Sequence, residues 1–347
     1  MSVIEAANTL GVDRASVLST LTEKKLPYQK LSRNQIIFGH ETAKGLFEFP
    51  FKPSVYVFQI VKGGTGKTSL VYELAVRASL YGASVLCIDM DQQGNLTQAF
   101  NQNAEHLPVM IDIVVDHHSL HDSIISVAPG IDLLPSRFEN SVLDEVLRQK
   151  KYPLERIYRE PFQALKEYYD LIIVDCPPSL GQSVAACALS SDYVVSPVTP
   201  EKFALSGLQM AYQSIQELQA NFRIPIQFGV VLNKFDSRSE IARDILTSLL
   251  KDPRYKNKLL KNTIRVSRDF PNMMAQNRSI FETIGPSSAK EDIDLFTREL
   301  LRIPDFLQTS AQMIESLSTP VLSIKDSKKN SHLLKIIELI KKIRVFE

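Results

Sequence analysis

The sequence predicts an α/β protein built on a doubly wound, mostly parallel sheet, preceded by a small α-rich domain of winged helix-turn-helix type. Three observations lead there. From about residue 53 onward, short apolar runs rich in β-branched residues alternate with helical patterns, as expected of a parallel sheet covered by helices on both faces. A glycine-rich turn separates the first of these runs from its helix. Ahead of them, residues 3–26 carry two short helical patterns joined at Gly11. The expected organisation is a helix-turn-helix domain over residues 1–52, the α/β domain over 53–315, and a basic amphipathic tail over 316–347.

The α/β elements follow in order. The run from Val55 to Ile60 is apolar, β-branched and aromatic, and reads as a buried strand. From Lys67 to Leu80 the apolar residues Leu70, Val71, Leu74, Ala75 and Ala78 recur at helical spacing, and Gly82 stops the pattern before a second strand, Ser84 to Ile88. This is a βαβ unit. Further buried strands are expected at Ile131–Leu134, Leu171–Val174, Tyr193–Pro197 and Phe228–Leu232.

Composition narrows the function classes. Hydrophobic residues make up 44% and charged residues 23%, and 40 basic against 39 acidic side chains leave a net charge of +1. Any nucleic-acid surface must therefore be local. Cys87, Cys176 and Cys187 form no CxxC pair and have no histidines at ligand spacing, which argues against a zinc site or a disulfide framework and for a reducing cytoplasm. No basic-then-apolar leader pattern opens the chain, and no apolar run approaches the roughly 18 residues of a membrane span.

The chemistry concentrates in Lys62, Gly63, Gly64, Thr65, Gly66, Lys67, Thr68 and Ser69, between the first strand and its helix. Glycines let successive backbone N–H groups turn inward, the helix N-terminus adds positive potential, Lys67 can reach outer phosphates, and the Thr68 hydroxyl can ligate magnesium. Downstream, Asp89 and Asp91 follow the second strand, and Asp175 ends the run from Leu171 before Cys176, Pro177, Pro178 and Ser179. Carboxylates at the C-terminal ends of parallel strands lie at the edge where such sheets bind ligands.

Lys62, one lysine ahead of the glycine pair, makes this KGGxGK[ST] turn resemble the deviant P-loop of the ParA and MinD group. The segments Asp89–Asn95, Asp175–Ser179, Ser196–Leu208 and Gly229–Lys234 extend the resemblance over about residues 55–300. Two positions depart from the family pattern: Gln92 stands where proline is usual, and Cys176 where threonine is usual. The resemblance implies ATP and Mg2+ as cofactors and weak, partner-stimulated ATP hydrolysis in a homodimer that sandwiches two nucleotides. Within it, Lys62 reaches the partner subunit's ATP, Asp91 positions the attacking water, and Thr68, Asp89 and Asp175 surround the metal. Asn233 contacts the adenine. The implied role is partition of a plasmid or chromosome, on the nucleoid in the cytoplasm, with a ParB-like centromere-binding partner. Two alternatives of other classes are a MinD-like membrane-associated positioning ATPase and a transcriptional repressor that holds ATP as a structural ligand.

Two regions are candidates for DNA contact. In the N-terminal pair, Ala6, Ala7 and Leu10 are expected to pack against Val17, Leu18 and Leu21, with Asp13 capping the second helix. That leaves Arg14, Ser16, Ser19, Thr20 and Lys24 to meet a groove and read an operator, as in autorepression, while residues 35–38 form a wing strand. The second region runs from Arg254 to Arg268 with six basic and no acidic residues, among them Lys256, Lys258, Lys261 and Arg265, as suits non-specific phosphate contact. In the tail, Leu333, Ile336, Ile337, Ile340 and Ile343 recur at helical spacing opposite Lys335, Glu338, Lys341 and Lys342, a pattern expected to pack on protein rather than membrane.

Overall fold

In the computed structural model, residues 1–303 are described except 33, 34, 202, 203 and 284; the predicted amphipathic tail, 316–347, lies outside them. The N-terminal region holds α1 (Val3–Leu10), α2 (Arg14–Glu23), a two-stranded antiparallel hairpin of β1 (Gln29–Lys30) and β2 (Ile36–Ile37), and α3 (His40–Phe47). Gly11 ends α1 at φ 65°, a left-handed position that glycine occupies without strain. The Asp13 carboxylate accepts the Ser16 N–H at 2.7 Å and starts α2. The third helix has no counterpart in the sequence reading, because its apolar residues Ala43, Leu46 and Phe47 span barely two turns.

The large sheet is made of β3 (Ser54–Phe58), β4 (Val85–Asp89), β5 (Ile125–Ala128), β6 (Ile131–Leu134), β7 (Leu171–Asp175), β8 (Tyr193–Val198) and β9 (Gln227–Leu232). Its order is β5-β6-β4-β7-β3-β8-β9, parallel throughout except for the β5–β6 pair at one edge. The edge strand β5 was not anticipated: half-exposed and only four residues long, it lacks the apolar run of its buried neighbours.

Alternate residues of each central strand point to opposite cores. Val55, Val57, Leu86, Ile88, Ile172 and Val174 face one side, where α6 (Met110–Asp116), α7 (Leu143–Gln149), α8 (Leu154–Ile157), α9 (Arg159–Leu165), α10 (Gln182–Leu189) and α11 (Ala204–Phe222) pack, with α12 (Glu240–Lys251) adding Ile245 and Leu249. Phe58, Val85, Cys87, Leu171 and Ile173 face the other, under α4 (Lys67–Leu80), α5 (Asn95–Ala99), α13 (Asp269–Met274) and α14 (Ser288–Leu301). All three thiols are buried in these layers.

The N-terminal region shares a third core with the α/β unit. Val3, Ala6, Ala7, Val17, Leu21, Phe38 and Leu46 close over Tyr81, at the end of α4, and Ile303. Arg77 of α4 ties the contact electrostatically, 2.6 Å from Asp294 of α14 and 3.6 Å from Glu5 of α1. Residues 1–304 accordingly form one compact unit.

Candidate functional site

The ends of β3, β4 and β7 converge on the turn that joins β3 to α4. Gly64 and Gly66 of this turn adopt φ 74° and 80°. At Gly66 a Cβ would also stand 2.4 Å from the Asn233 Nδ2, so glycine is needed there for space as well as for conformation. No side chain caps the start of α4 at Gly66, which leaves its first N–H groups for an anion. Around the turn lies a cavity of about 660 Å³, lined by residues 62–69, Asp91, Gln92, Gln93, Asn95, Pro178 and the far wall of Met274 and Asn277. A larger cleft of about 920 Å³ at the opposite sheet edge, near Lys166 and Asp192, mixes paired charges of both signs, so the smaller cavity is the better phosphate site.

Lys67 and Asp175 meet inside this cavity's floor. The Lys67 Nζ is 3.5 Å from the Asp175 Oδ1, and the Thr68 hydroxyl donates to the Oδ2 at 2.6 Å. Burial pushes the Asp175 carboxyl up, against the stabilising pull of Lys67 and Thr68. Burial alone would lower Lys67, but Asp175, Cys176 and Asp91 around it hold its ammonium above the usual range. The Asp175 Oδ1 and the Thr65 hydroxyl have no hydrogen-bond partner although both are buried. A buried carboxylate with only the Lys67 ammonium near its Oδ1 and the Thr68 hydroxyl on its other oxygen is a donor set suited to a hard divalent cation.

Asp89 is the carboxylate expected in the neighbourhood of the metal. It lies opposite Asp175 in the β4–β7 register and is fully buried, and its two oxygens accept from the Asp91 N–H (3.1 Å), the Thr97 N–H (2.9 Å) and the Thr97 hydroxyl (2.8 Å). Burial, with Asp175 nearby, pushes it up to about 7. Through these hydrogen bonds Asp89 anchors the loop that presents Asp91. That loop keeps a tight turn, Gly94 N–H to Asp91 carbonyl at 2.9 Å, with Gln92 in the usual proline position.

Lys62, at the outer edge of the turn, donates to the Glu201 carboxylate at 2.7 Å. That hydrogen bond holds Glu201 below the usual carboxylate range. Asn233 is buried with both amide atoms engaged: its Nδ2 donates to the Thr65 carbonyl at 2.7 Å and its Oδ1 accepts the Lys234 N–H at 2.9 Å. Each amide atom keeps a second hydrogen or lone pair, so an adenine contact is compatible with both bonds. The sequence reading passed over Glu201 and Lys234, although each stands within or beside a stretch it had singled out.

The DNA candidates are less uniform than their sequence suggests. On α2, Ser16 and Ser19 are exposed, Ser19 donates to Glu23, and the Thr20 hydroxyl bonds back to the Ser16 carbonyl. Lys24 donates to the Gly45 carbonyl and pairs with Glu48 at 2.9 Å. In the second region Arg265 is committed to Asp292 and Glu291, both at 2.6 Å, and Arg254 to Asp252. Arg265, expected to contact phosphate, is clamped onto α14 in the free chain, while Lys256 and Lys261 are exposed and Lys258 lies over the Tyr212 ring.

Residues 54–228, half of the chain, match the family model described as an AAA domain. The chain is 30% identical to a virulence plasmid ParA family protein of Chlamydia trachomatis, over 71% of this chain and 93% of that one. The chain belongs to the ParA family. It is also 30% identical to the sporulation initiation inhibitor protein Soj of Bacillus subtilis, over 59% of this chain and 83% of Soj. A plasmid partition protein of Borrelia burgdorferi, solved with AMPPNP, has the same fold, with a TM-score of 0.61 at 22% identity over 72% of this chain and 99% of that one. The deviant P-loop ParA fold therefore accounts for the whole sheet. No helix among the described residues is long and apolar enough to cross a membrane.

Proposed function

We propose that this ParA-family chain is an ATP-hydrolysing partition protein that dimerises around Mg-ATP and binds DNA in that state. It holds an operator through the N-terminal helices and DNA of any sequence through the basic segment, represses its own operon, and is stimulated to hydrolyse ATP by a ParB-like partner. The observation that carries this reading is the phosphate cradle with Lys62 standing outside it, held by Glu201 and not by any group of its own turn.

Within the cradle the residues divide the work of phosphoryl transfer to water. Backbone N–H groups of residues 63–69 and the Lys67 ammonium bind the phosphates. Thr68 and Asp175 would hold Mg2+, which would supply charge neutralisation at the phosphates. Asp91, presented to the cavity by the Asp89 anchor, orients the attacking water, and Lys62 serves the partner subunit's nucleotide. Neither Asp91 nor Lys62 is needed for ground-state binding in its own subunit. Asp91→Ala is therefore expected to bind ATP and dimerise but not turn over, and Lys62→Ala to bind ATP without dimerising.

For DNA, the exposed Ser16 and Ser19 together with the half-buried Arg14 of α2 are assigned to base edges, and Lys256, Lys258 and Lys261 to phosphates. The deciding experiment measures binding to upstream and to random DNA with ATP, with ADP and without nucleotide. Random-DNA binding that appears only with ATP, together with an upstream preference lost in an Arg14→Ala, Ser16→Ala, Ser19→Ala variant, is the expected result. Binding indifferent to nucleotide would overturn the partition reading in favour of a repressor that merely holds ATP.

A further inference from the structure

The ATP-binding roles above leave Lys234 without a task, although it is one of the more constrained residues of the site. It sits just past the end of β9 with φ 55°, a left-handed conformation in which long side chains are uncommon. Its Nζ donates to the Gly64 carbonyl at 2.8 Å, and its neighbour Asn233 donates to the next carbonyl, that of Thr65, at 2.7 Å. Two consecutive peptide units of the phosphate turn are thus gripped from a segment about 170 residues away in sequence.

The consequence follows from peptide geometry. The chain has no cis peptide bonds. In a planar trans peptide the C=O and the following N–H point in opposite directions. Fixing the Gly64 and Thr65 carbonyls toward the end of β9 therefore turns the Thr65 and Gly66 N–H groups the other way, and both of these residues line the cavity. Successive inward N–H groups make an anion nest, but the left-handed residues that build it are flexible glycines. An external clamp on the carbonyls keeps the nest formed before any anion arrives.

We infer that Lys234, with Asn233, is a positioning residue that pre-forms the phosphate cradle by holding the outward carbonyls of the turn, so that its ammonium governs affinity for the polyphosphate and not for the base. This rests on the phosphate site and is independent of the partition reading.

The test uses the full chain and two probes, inorganic tripolyphosphate and Mg-ATP, titrated by calorimetry against wild type, Lys234→Met, Lys234→Gly and Lys234→Arg, with melting curves for each. Loss of a charge-assisted hydrogen bond to the turn is expected to weaken both probes by the same factor, about tenfold or more, in Lys234→Met and in Lys234→Gly. Lys234→Arg is expected to restore most of the affinity. Because glycine accepts positive φ without strain, Lys234→Gly should melt at or above the wild-type temperature while still binding poorly, which a purely structural role would not produce. Tripolyphosphate affinity within twofold of wild type in Lys234→Met overturns the inference. So does a loss confined to Mg-ATP, which would make Lys234 a contact of the nucleoside. Normal polyphosphate binding in a wild-type chain that binds no DNA would sink the partition proposal and leave this one standing.

Discussion

The two ends of α4 use charge in opposite ways. At its N-terminus, Thr68 donates to one oxygen of the buried Asp175, the Lys67 ammonium stands 3.5 Å from the other, and the helix start carries no side-chain cap. At its C-terminal end, Arg77 is buried among Asp294, Glu5 and the Tyr81 ring, while Arg298 bridges Tyr81 at 2.8 Å and Thr9 at 2.9 Å. Burial works against the Arg77 charge, and Tyr81, Asp294 and Glu5 keep it protonated. One end holds donors and acceptors aimed at something outside the chain; the other closes its charges on three helices of the chain itself. The difference separates a binding site from a joint, and changes at the joint should cost stability where changes at the site cost affinity.

Arg77→Met tests the joint most severely. It removes the buried guanidinium between Asp294 and Glu5, leaving Arg298 at 3.0 Å as the remaining cation on Asp294, and a loss of about 3 kcal/mol in denaturant unfolding is expected. A loss below about 1 kcal/mol would show that the N-terminal region is only loosely attached. The same reasoning bears on how the N-terminal region should be probed. Deleting residues 1–52 would strip the cover from Tyr81, which is fully buried, so point substitutions on α2 report on DNA more cleanly than truncation.

Midway along α4, Glu73 gives an effect of similar size with a definite pH signature. It accepts from the Ser279 hydroxyl at 2.6 Å and the Ile280 N–H at 3.0 Å, and burial pushes it up to about 7 from 4.5. The fold therefore favours the neutral acid: its contribution is complete below 4.5 and is lost as pH rises through about 7. Relative to Glu73→Gln, which does not titrate, wild type should lose on the order of 3 kcal/mol between pH 4.5 and pH 8. Parallel stability curves for the two proteins across this range would mean that the carboxylate is already ionised in the fold at acid pH.

At the binding end, wild type in Mg-ATP at a hundred times its Kd should gain about 2.7 kcal/mol of stability. Lys67→Ala should gain nothing, with its ligand-free melting point moved far less than that of Arg77→Met. A thermal-shift series in nucleotide reads both. The smallest expected effect lies farthest from either end: Asp13→Ala removes the cap of α2 and should lower the melting point only slightly, with nucleotide affinity unchanged. A change in nucleotide affinity there would show that the two ends of α4 communicate and that the separation drawn above is too sharp.

Local pattern made much of the α/β unit legible. The helix Lys67–Leu80 and the strand Ile131–Leu134 occur with the expected bounds, and the other expected strands differ by a residue or two at their ends. These segments are buried on both faces or along a full stripe, so hydrophobicity alone marks them. The edge strand β5 and the short helix α3 escaped because each is half-exposed and takes its stability from neighbours distant in sequence. Among the site residues, Lys67, Thr68, Asp91 and Asp175 were legible because a glycine turn and strand-end carboxylates announce them. Asp89 was not separable from Asp91 by pattern, since both follow the same strand; only the hydrogen bonds from Thr97 show which of them faces inward.

The sequence by itself determined the sheet, the phosphate turn and the family, because periodicity, glycine at positive φ and a lysine before a helix act over a few neighbouring residues. Tertiary structure alone decided which charges are available. Arg265 is paired with Asp292, Lys62 stands against Glu201, and Lys234 reached back to Gly64, in each case through a partner at least 27 residues away. Charge is read from the sequence as a property of a residue, but in the folded chain it belongs to a pair, and the second member is chosen by how the helices and strands come to lie against one another.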